Sequence, residues 1–167
     1  EVTGYHESDP VKVSGYGVDC VGIRKDSADF VYHVDYEMEG LVKRAGSSMM
    51  LSVGKLIGEQ MKLEGNERIR KDRIWRRMAF ADEWNIEVAL PKGYQASAES
   101  LKKLNTTVSN DCGEFAVKAS AGAGKIIVHV SKSFLHREEP VANWDKVLKL
   151  VDACSVFNEK QVVITKK

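Results

Sequence analysis

Trp84, Ile86, Val88 and Leu90 alternate with Asn85, Glu87 and Ala89, and the run ends in Pro91-Lys92-Gly93-Tyr94. Side chains of an extended chain point to opposite faces in turn, so this stretch predicts a strand with one apolar and one mostly polar face. Pro91 has no N–H to give to a ladder and Gly93 permits a tight turn, so the strand stops there. Such a strand needs neighbours. The upstream segments read as strands able to pair with it, and the downstream segments as further strands and one helix.

The clearest periodicity lies upstream. Phe30, Tyr32, Val34, Tyr36 and Met38 alternate with Val31, His33, Asp35, Glu37 and Glu39. This predicts a long antiparallel strand with a buried aromatic face and a charged wet one. Residues 11–25 read as one or two strands with a bulge or turn near Gly15 and Gly17, and residues 26–29 as a turn. A shorter strand is expected at 48–53, while 59–63 is compatible with a helical turn or a strand. Residues 68–80 alternate only in part, with Trp75 out of step, and through Ala81-Asp82-Glu83 are expected to form a hairpin with the 84–90 strand. Residues 97–104 suit one helical turn capped by Ser97. Residues 106–109 suit a short strand, and Asn110-Asp111-Cys112-Gly113 a turn.

Phe115, Val117 and Ala119, then Ile126, Val128 and Val130, predict a hairpin turning at Ala121-Gly122-Ala123-Gly124. Pro140 opens a helix to about residue 157: proline suits a first turn, and Glu138 and Glu139 sit near the positive end of its dipole. Its stripe is Trp144, Val147, Leu148, Val151 and Cys154. A last strand is expected at 161–165. The fold class is therefore mainly β, an antiparallel β-sandwich with one C-terminal α-helix packed on it. Residues 1–10 read as a linker remnant and 11–167 as one domain.

A chain of 167 residues buries roughly 70% of its unfolded surface and needs no metal or disulfide to fold. The 43% hydrophobic and 29% charged fractions are those of a soluble globular protein. A net charge of +1 supplies no global field for nucleic acid or an anionic membrane. No apolar run reaches the roughly 18 residues of a membrane span. The chain starts at Glu1 without Met or a signal pattern, which reads as a fragment or a processed form. Three widely spaced cysteines (Cys20, Cys112, Cys154) argue against a disulfide framework or a zinc cage, and one bridge of unspecified pairing is compatible with the count.

Four chemistries fit parts of the sequence in outline. Residues 119–125 resemble a phosphate loop, but Ala119 stands where glycine is needed, Ile126 where Ser or Thr is needed, and a strand follows instead of a helix. A thiol nucleophile would pair Cys20, Cys112 or Cys154 with His6, His33, His129 or His136. Cys112, beside a turn glycine, is expected to be the most exposed thiol, and a thiol enzyme centred on it is the alternative enzymatic reading. His33, Asp35 and Glu37 share one strand face, which a solvated sheet face explains without metal. Arg68, Arg70, Lys71, Arg73, Arg76 and Arg77 with Trp75 among them could track a phosphate backbone. Glu67 and Asp72 interrupt that row, so a charged strand face paired with acids such as Glu37 and Glu39 is the preferred reading, and no nucleic acid is expected.

Residues 51–60 (Leu-Ser-Val-Gly-Lys-Leu-Ile-Gly-Glu-Gln), the basic stretch leading into Ala89-Leu90-Pro91-Lys92-Gly93-Tyr94, and Asn143-Trp144 with the closing strand follow one another in an order that resembles a known arrangement. It is similar to the C-terminal domain of unknown function of bacterial multidomain proteins with a transglutaminase-like core. The resemblance covers nearly the whole chain. It implies a β-sandwich with a late helix, preceded by a papain-like Cys-His-Asp domain and a β-rich N-terminal domain. It also implies a bacterial periplasmic or envelope location. It carries no catalytic residue onto this chain.

The expectation is thus a non-catalytic accessory module, packing against an upstream transglutaminase-like domain of the same chain or binding a protein or glycan. No cofactor and no metal site are expected. A binding surface is expected among Tyr32, Tyr36, Trp75, Trp84, Arg76 and Arg77, which the aromatic strands would carry.

Overall fold

The computed structural model describes residues 11–20 and 30–167, without the side chain of Cys20. The expected linker at 1–10, the turn at 26–29 and His6 lie outside the described residues. The chain forms two compact units, Glu1–Leu41 and Val42–Lys167, where the sequence suggested one domain from Val11. Among the described residues no helix is long and apolar enough to cross a membrane.

The first unit holds β1 (Val11–Cys20) and β2 (Val31–Met38), an antiparallel ribbon whose register slips at Ser14 and Asp19. The expected irregularity near the glycines is therefore present. Gly17 leaves room for the imidazole across the strand: a Cβ there would meet His33 Cε1 at 2.7 Å. The aromatic face of β2 is not core. Tyr32 is 53% and Tyr36 37% exposed, because a two-stranded ribbon has too few neighbours to cover a face.

The second unit contains, in chain order, β3 (Val42–Ala45), β4 (Ser48–Leu51), β5 (Ile74–Trp75), β6 (Phe80–Ala89) and β7 (Tyr94–Ala96). Then come α1 (Ala98–Leu104), β8 (Thr106–Asn110), β9 (Gly113–Gly122), β10 (Lys125–Phe134), β11 (Glu138–Glu139), α2 (Trp144–Asn158) and β12 (Val162–Lys166). Two antiparallel four-stranded sheets result, ordered β6-β10-β9-β8 and β3-β4-β12-β7. The chain is mainly β, antiparallel, with a C-terminal helix packed on it, as the alternation implied.

The centre of the first sheet is β10. Ile126, Val128 and Val130 are fully buried and sit in rows with Val88, Ile86 and Trp84 of β6 and with Ala121, Ala119 and Val117 of β9. The 84–90 strand is thus real, and extends back to Phe80. It lies at the edge of its sheet and pairs with β10 alone, so the expected hairpin with 68–80 does not form. Within 68–79 only Ile74 and Trp75 are extended, paired with Glu139 and Glu138 of β11. Cations at six of the ten positions from Arg68 to Arg77 leave no apolar face to hold a ladder in register.

Helix α2 covers β8 and β9. Its buried residues are Trp144, Val147, Leu150, Cys154 and Phe157, so the stripe runs through Leu150 and Phe157 where Leu148 and Val151 were expected. Phe157 meets Phe115 of β9 with ring centroids 5.9 Å apart. Pro140 precedes a 3-10 turn at Val141–Asn143, and the α-helix begins after it. At the other end Asn158 Nδ2 donates to the carbonyls of Gly54 (2.9 Å) and Gly58 (2.8 Å), tying down the 3-10 turn Val53–Ile57 that follows β4. A Cβ on Gly54 would collide with the Phe157 carbonyl oxygen. Residues 59–63 take up neither of the two structures left open for them. The expected short helix is α1, capped by Ser97, whose Oγ accepts from the Ser100 N–H at 3.4 Å.

Residues 119–125 form the β9–β10 hairpin, and Ala123 and Gly124 at its tip have φ of 50° and 74°. Two consecutive positive φ values make this a type I′ turn, for which Asn-Gly is the preferred pair and alanine a strained first residue. Ala123→Asn should therefore stabilise the protein by about 0.5 kcal/mol, read from the midpoint of urea unfolding at unchanged slope.

Candidate functional site

The basic segment after the 3-10 turn Gly65–Arg68 crosses α2 and the end of β10 as a strap fixed at both ends. At one end Arg68 makes a bidentate pair with Asp152 of α2 (both N–O distances 2.8 Å), and its carbonyl accepts from Trp144 Nε1 at 2.7 Å. This holds the Asp152 carboxyl below the usual carboxylate range. At the other end the β5–β11 pair is extended by Arg76 N–H donating to the Arg137 carbonyl at 2.8 Å.

Between these anchors Ile74 is buried, and the strap and the protein body together line a cavity of about 370 Å³, within the roughly 300–1,000 Å³ of ordinary ligand pockets. Its floor is apolar: Phe134 of β10 with Val147, Val151 and Cys154 of α2. Its mouth carries Met61, Trp75 and Met78, each more than half exposed. Its charged lining residues, among those described, are all cationic: Arg70, Arg76, Arg77 and Lys132.

Three of these cations are seated over rings. Arg76 lies 4.2 Å from the Phe134 centroid, Arg70 5.3 Å from Trp144 and Lys132 5.7 Å from Phe80. Desolvation among these groups lowers the Arg76 pKa against the pull of the Glu139 charge, yet a guanidinium stays protonated throughout the working range. Lys132 reaches the cavity because strand alternation puts it on the inner face of β10, between Val130 and Phe134. Its Nζ donates to Gln60 Oε1 at 2.9 Å.

Behind the strap lies a second polar group. Glu139 is only 2% exposed, and its two oxygens accept from His136 Nδ1 and Asn143 Nδ2, each at 2.7 Å. Burial alone would raise its pKa, but the hydrogen bonds from Asn143, His136 and the Cys112 thiol hold it below the ordinary glutamate value. A thiol, a carboxylate and an imidazole therefore meet, with the carboxylate in the middle and the thiol sealed in. Cys112 is 0% exposed, the opposite of the sequence expectation. The reason is that Asn110 bonds its own turn (Oδ1 from the Cys112 N–H, 2.8 Å) and donates to the Lys146 carbonyl of α2 (3.1 Å), which brings the helix down over the thiol. Burial first, then the Glu139 carboxylate, pushes the Cys112 pKa up to about 11. Burial does the same for Cys154, also to about 11, and both thiols are free.

Of the residues singled out in the sequence, Trp75, Arg76 and Arg77 come together at the cavity. Trp84 sits partly buried in the row with Val130 and does not line it, while Tyr32 and Tyr36 belong to the other unit. The acids that pair with the basic stretch are Asp152 and Glu138, the latter 3.5 Å from Arg73. Sequence reasoning missed Lys132, Met61 and Glu139. Lys132 was open to it: a lysine at an inward position of an otherwise apolar strand is a signal of a polar site.

No family model matches this chain, and no curated protein sequence matches it. Among solved structures, a "putative protease" from Parabacteroides distasonis is similar at 12% identity and a TM-score of 0.49. The similarity covers 57% of this chain and 18% of that one.

The lowered Glu139 pKa links its contacts to acid stability. Its contribution is present above the unfolded pKa of about 4.3 and is lost as pH falls through the lower folded value. Glu139→Gln should cost about 2 kcal/mol at pH 7, since His136 and Asn143 reach different oxygens and an amide puts an NH2 donor in place of one of them. The difference in Tm between the two proteins should narrow below about pH 4.

Proposed function

We propose that this chain is a non-catalytic binding module whose site is the cavity under the basic strap. The observation that carries the reading is an apolar, half-open cavity whose mouth exposes Met61, Trp75 and Met78. Exposed apolar groups gathered at one concavity mark interaction sites. Following the resemblance, the module serves a transglutaminase-like domain of an exported bacterial protein, and a protein partner suits this mouth better than a glycan. Glycans stack on open aromatic faces, and Arg137 already lies 5.4 Å over the Trp75 ring.

The alternative of a thiol enzyme at Cys112 has less behind it. A pKa of about 11 leaves on the order of one thiol in ten thousand ionised at pH 7. The nucleic-acid alternative is weakened because Arg68 and Arg73 are engaged by carboxylates, which interrupts the row of cations.

Two measurements test this. Mixing the chain with a transglutaminase-like domain and mapping hydroxyl-radical footprints should protect Met61, Trp75 and Met78; protection confined to other surfaces removes the cavity from the proposal. Iodoacetamide at pH 7 should label Cys112 and Cys154 only after denaturation, and fast selective labelling of Cys112 in the folded protein would reinstate thiol chemistry.

A further inference from the structure

Resting on that reading of the cavity, we infer that its occupant is an acidic polypeptide segment bearing a bulky apolar side chain. The apolar group enters over Phe134 and Val151, and flanking carboxylates meet Arg70, Arg76, Arg77 and Lys132. Three observations lead there.

The first is charge. Four cations line the cavity, and two acids offset them in part: Asp82 stands opposite Lys132 in the β6–β10 ladder, and the Glu139 charge acts on Arg76. Asp152 is held by Arg68, Glu138 by Arg73, and Glu139 by His136 and Asn143. A positive excess therefore remains at the mouth, carried by Arg70 and Arg77, although the whole chain carries only +1. The fit to an anion is local, and electrostatic complementarity of this kind fixes partner choice more than bulk affinity.

The second is preorganisation. Arg70 and Arg76 are held with their guanidinium groups over Trp144 and Phe134, and Lys132 is tethered by Gln60. A planar guanidinium fixed in this way offers carboxylates paired donors at low entropic cost. In the half-buried setting of Arg76, the interaction is stronger than at an open surface.

The third is the shape of the apolar surface. Apolar groups line the cavity (Phe134, Val151) and are also exposed at its mouth (Met61, Trp75, Met78), so an anchor and the chain that flanks it both find apolar contacts. An anchor side chain in a pocket surrounded by a wider contact zone is how peptide segments bind. Methionines at the rim adapt to the shape of that anchor. A nucleic acid would need a continuous track of cations, and Arg68 and Arg73 are removed from such a track by their carboxylate partners.

The test uses fluorescence anisotropy on the full chain with three fluorescein-labelled peptides. The first is Glu-Glu-Leu-Glu-Phe-Glu-Glu. The second has Gln for every Glu, and the third has Ser for Leu and Phe. The first should bind at least tenfold more tightly than either of the others, and its affinity should fall as salt rises from 50 to 300 mM. Arg77→Glu and Met78→Asp alter exposed residues and should each weaken it at least tenfold. Lys118→Glu, on the opposite face of the sheet by strand alternation, should leave it unchanged, with circular dichroism checking that every variant is folded. Equal binding of the Gln peptide, still abolished by Met78→Asp, would overturn the acidic class and leave the cavity as the binding site. Failure of all three peptides on folded protein would overturn both the class and the site. A labelled single-stranded oligonucleotide that binds more tightly than the first peptide, and is lost with Arg77→Glu but not with Met78→Asp, would overturn it in favour of nucleic acid.

Discussion

Strict two-residue alternation along β10 is the constraint on which the second unit depends. Ile126, Val128 and Val130 turn inward with no exposure and pin β6 and β9 in register on either side. Slipping the pairing by one residue would put this whole set in water. The same register sends the next inward position, Lys132, towards the core. A lysine cannot be sealed among hydrocarbons without a large desolvation cost. The fold accommodates it by leaving a cavity beside it, between the buried Val130 and Phe134. The Lys132 ammonium group there meets the ring of Phe80 and the amide oxygen of Gln60. Core and cavity are thus two halves of one strand.

The strap follows the same reasoning. Its cations cannot form a strand face, so it is held by discrete bonds. These are a bidentate arginine–carboxylate pair, a tryptophan N–H on a carbonyl, and a ribbon of two residue pairs. The Glu139 group lies under the ribbon and binds residues from three places in the chain: Cys112 at a hairpin turn, His136 after β10 and Asn143 before α2. Its grouping of thiol, imidazole and carboxylate has the composition of a nucleophilic site. The connectivity differs, because the carboxylate lies between the other two groups and the thiol is fully covered. Composition alone suggests a nucleophilic site; burial and the order of the contacts separate the thiol from the imidazole.

Sequence patterns carried most of the sheet architecture, and it is clear why. The β9–β10 hairpin, β12, the Ser97-capped helix and α2 each rest on local periodicity or capping, which tertiary context did not override. What could not be read was long-range. Strand 84–90 was legible, but its partner was not, because the correct neighbour lies some forty residues on and the nearer segment was the natural guess. Cys112 was misjudged for the same reason: a turn glycine suggests a surface, and only the Asn110–Lys146 bond shows that a helix sits on it. In β2 the aromatic alternation was real, but its meaning was not, since burial belongs to what packs on a face and not to the face alone. Half of the site was visible as Trp75, Arg76 and Arg77. The rest comes from β10, α2 and the loop at Met61, which meet only in three dimensions.

The β5–β11 ribbon consists of two residue pairs, far fewer than the ten that join β10 to each neighbour. Cooperative units of such unequal size open at different free energies, the smallest first. The roof over the cavity is therefore the part of the second unit that lifts while the sheet beneath stays intact. For the occupant proposed above, that excursion is the route past the resting aperture, and its frequency would limit the rates of entry and exit.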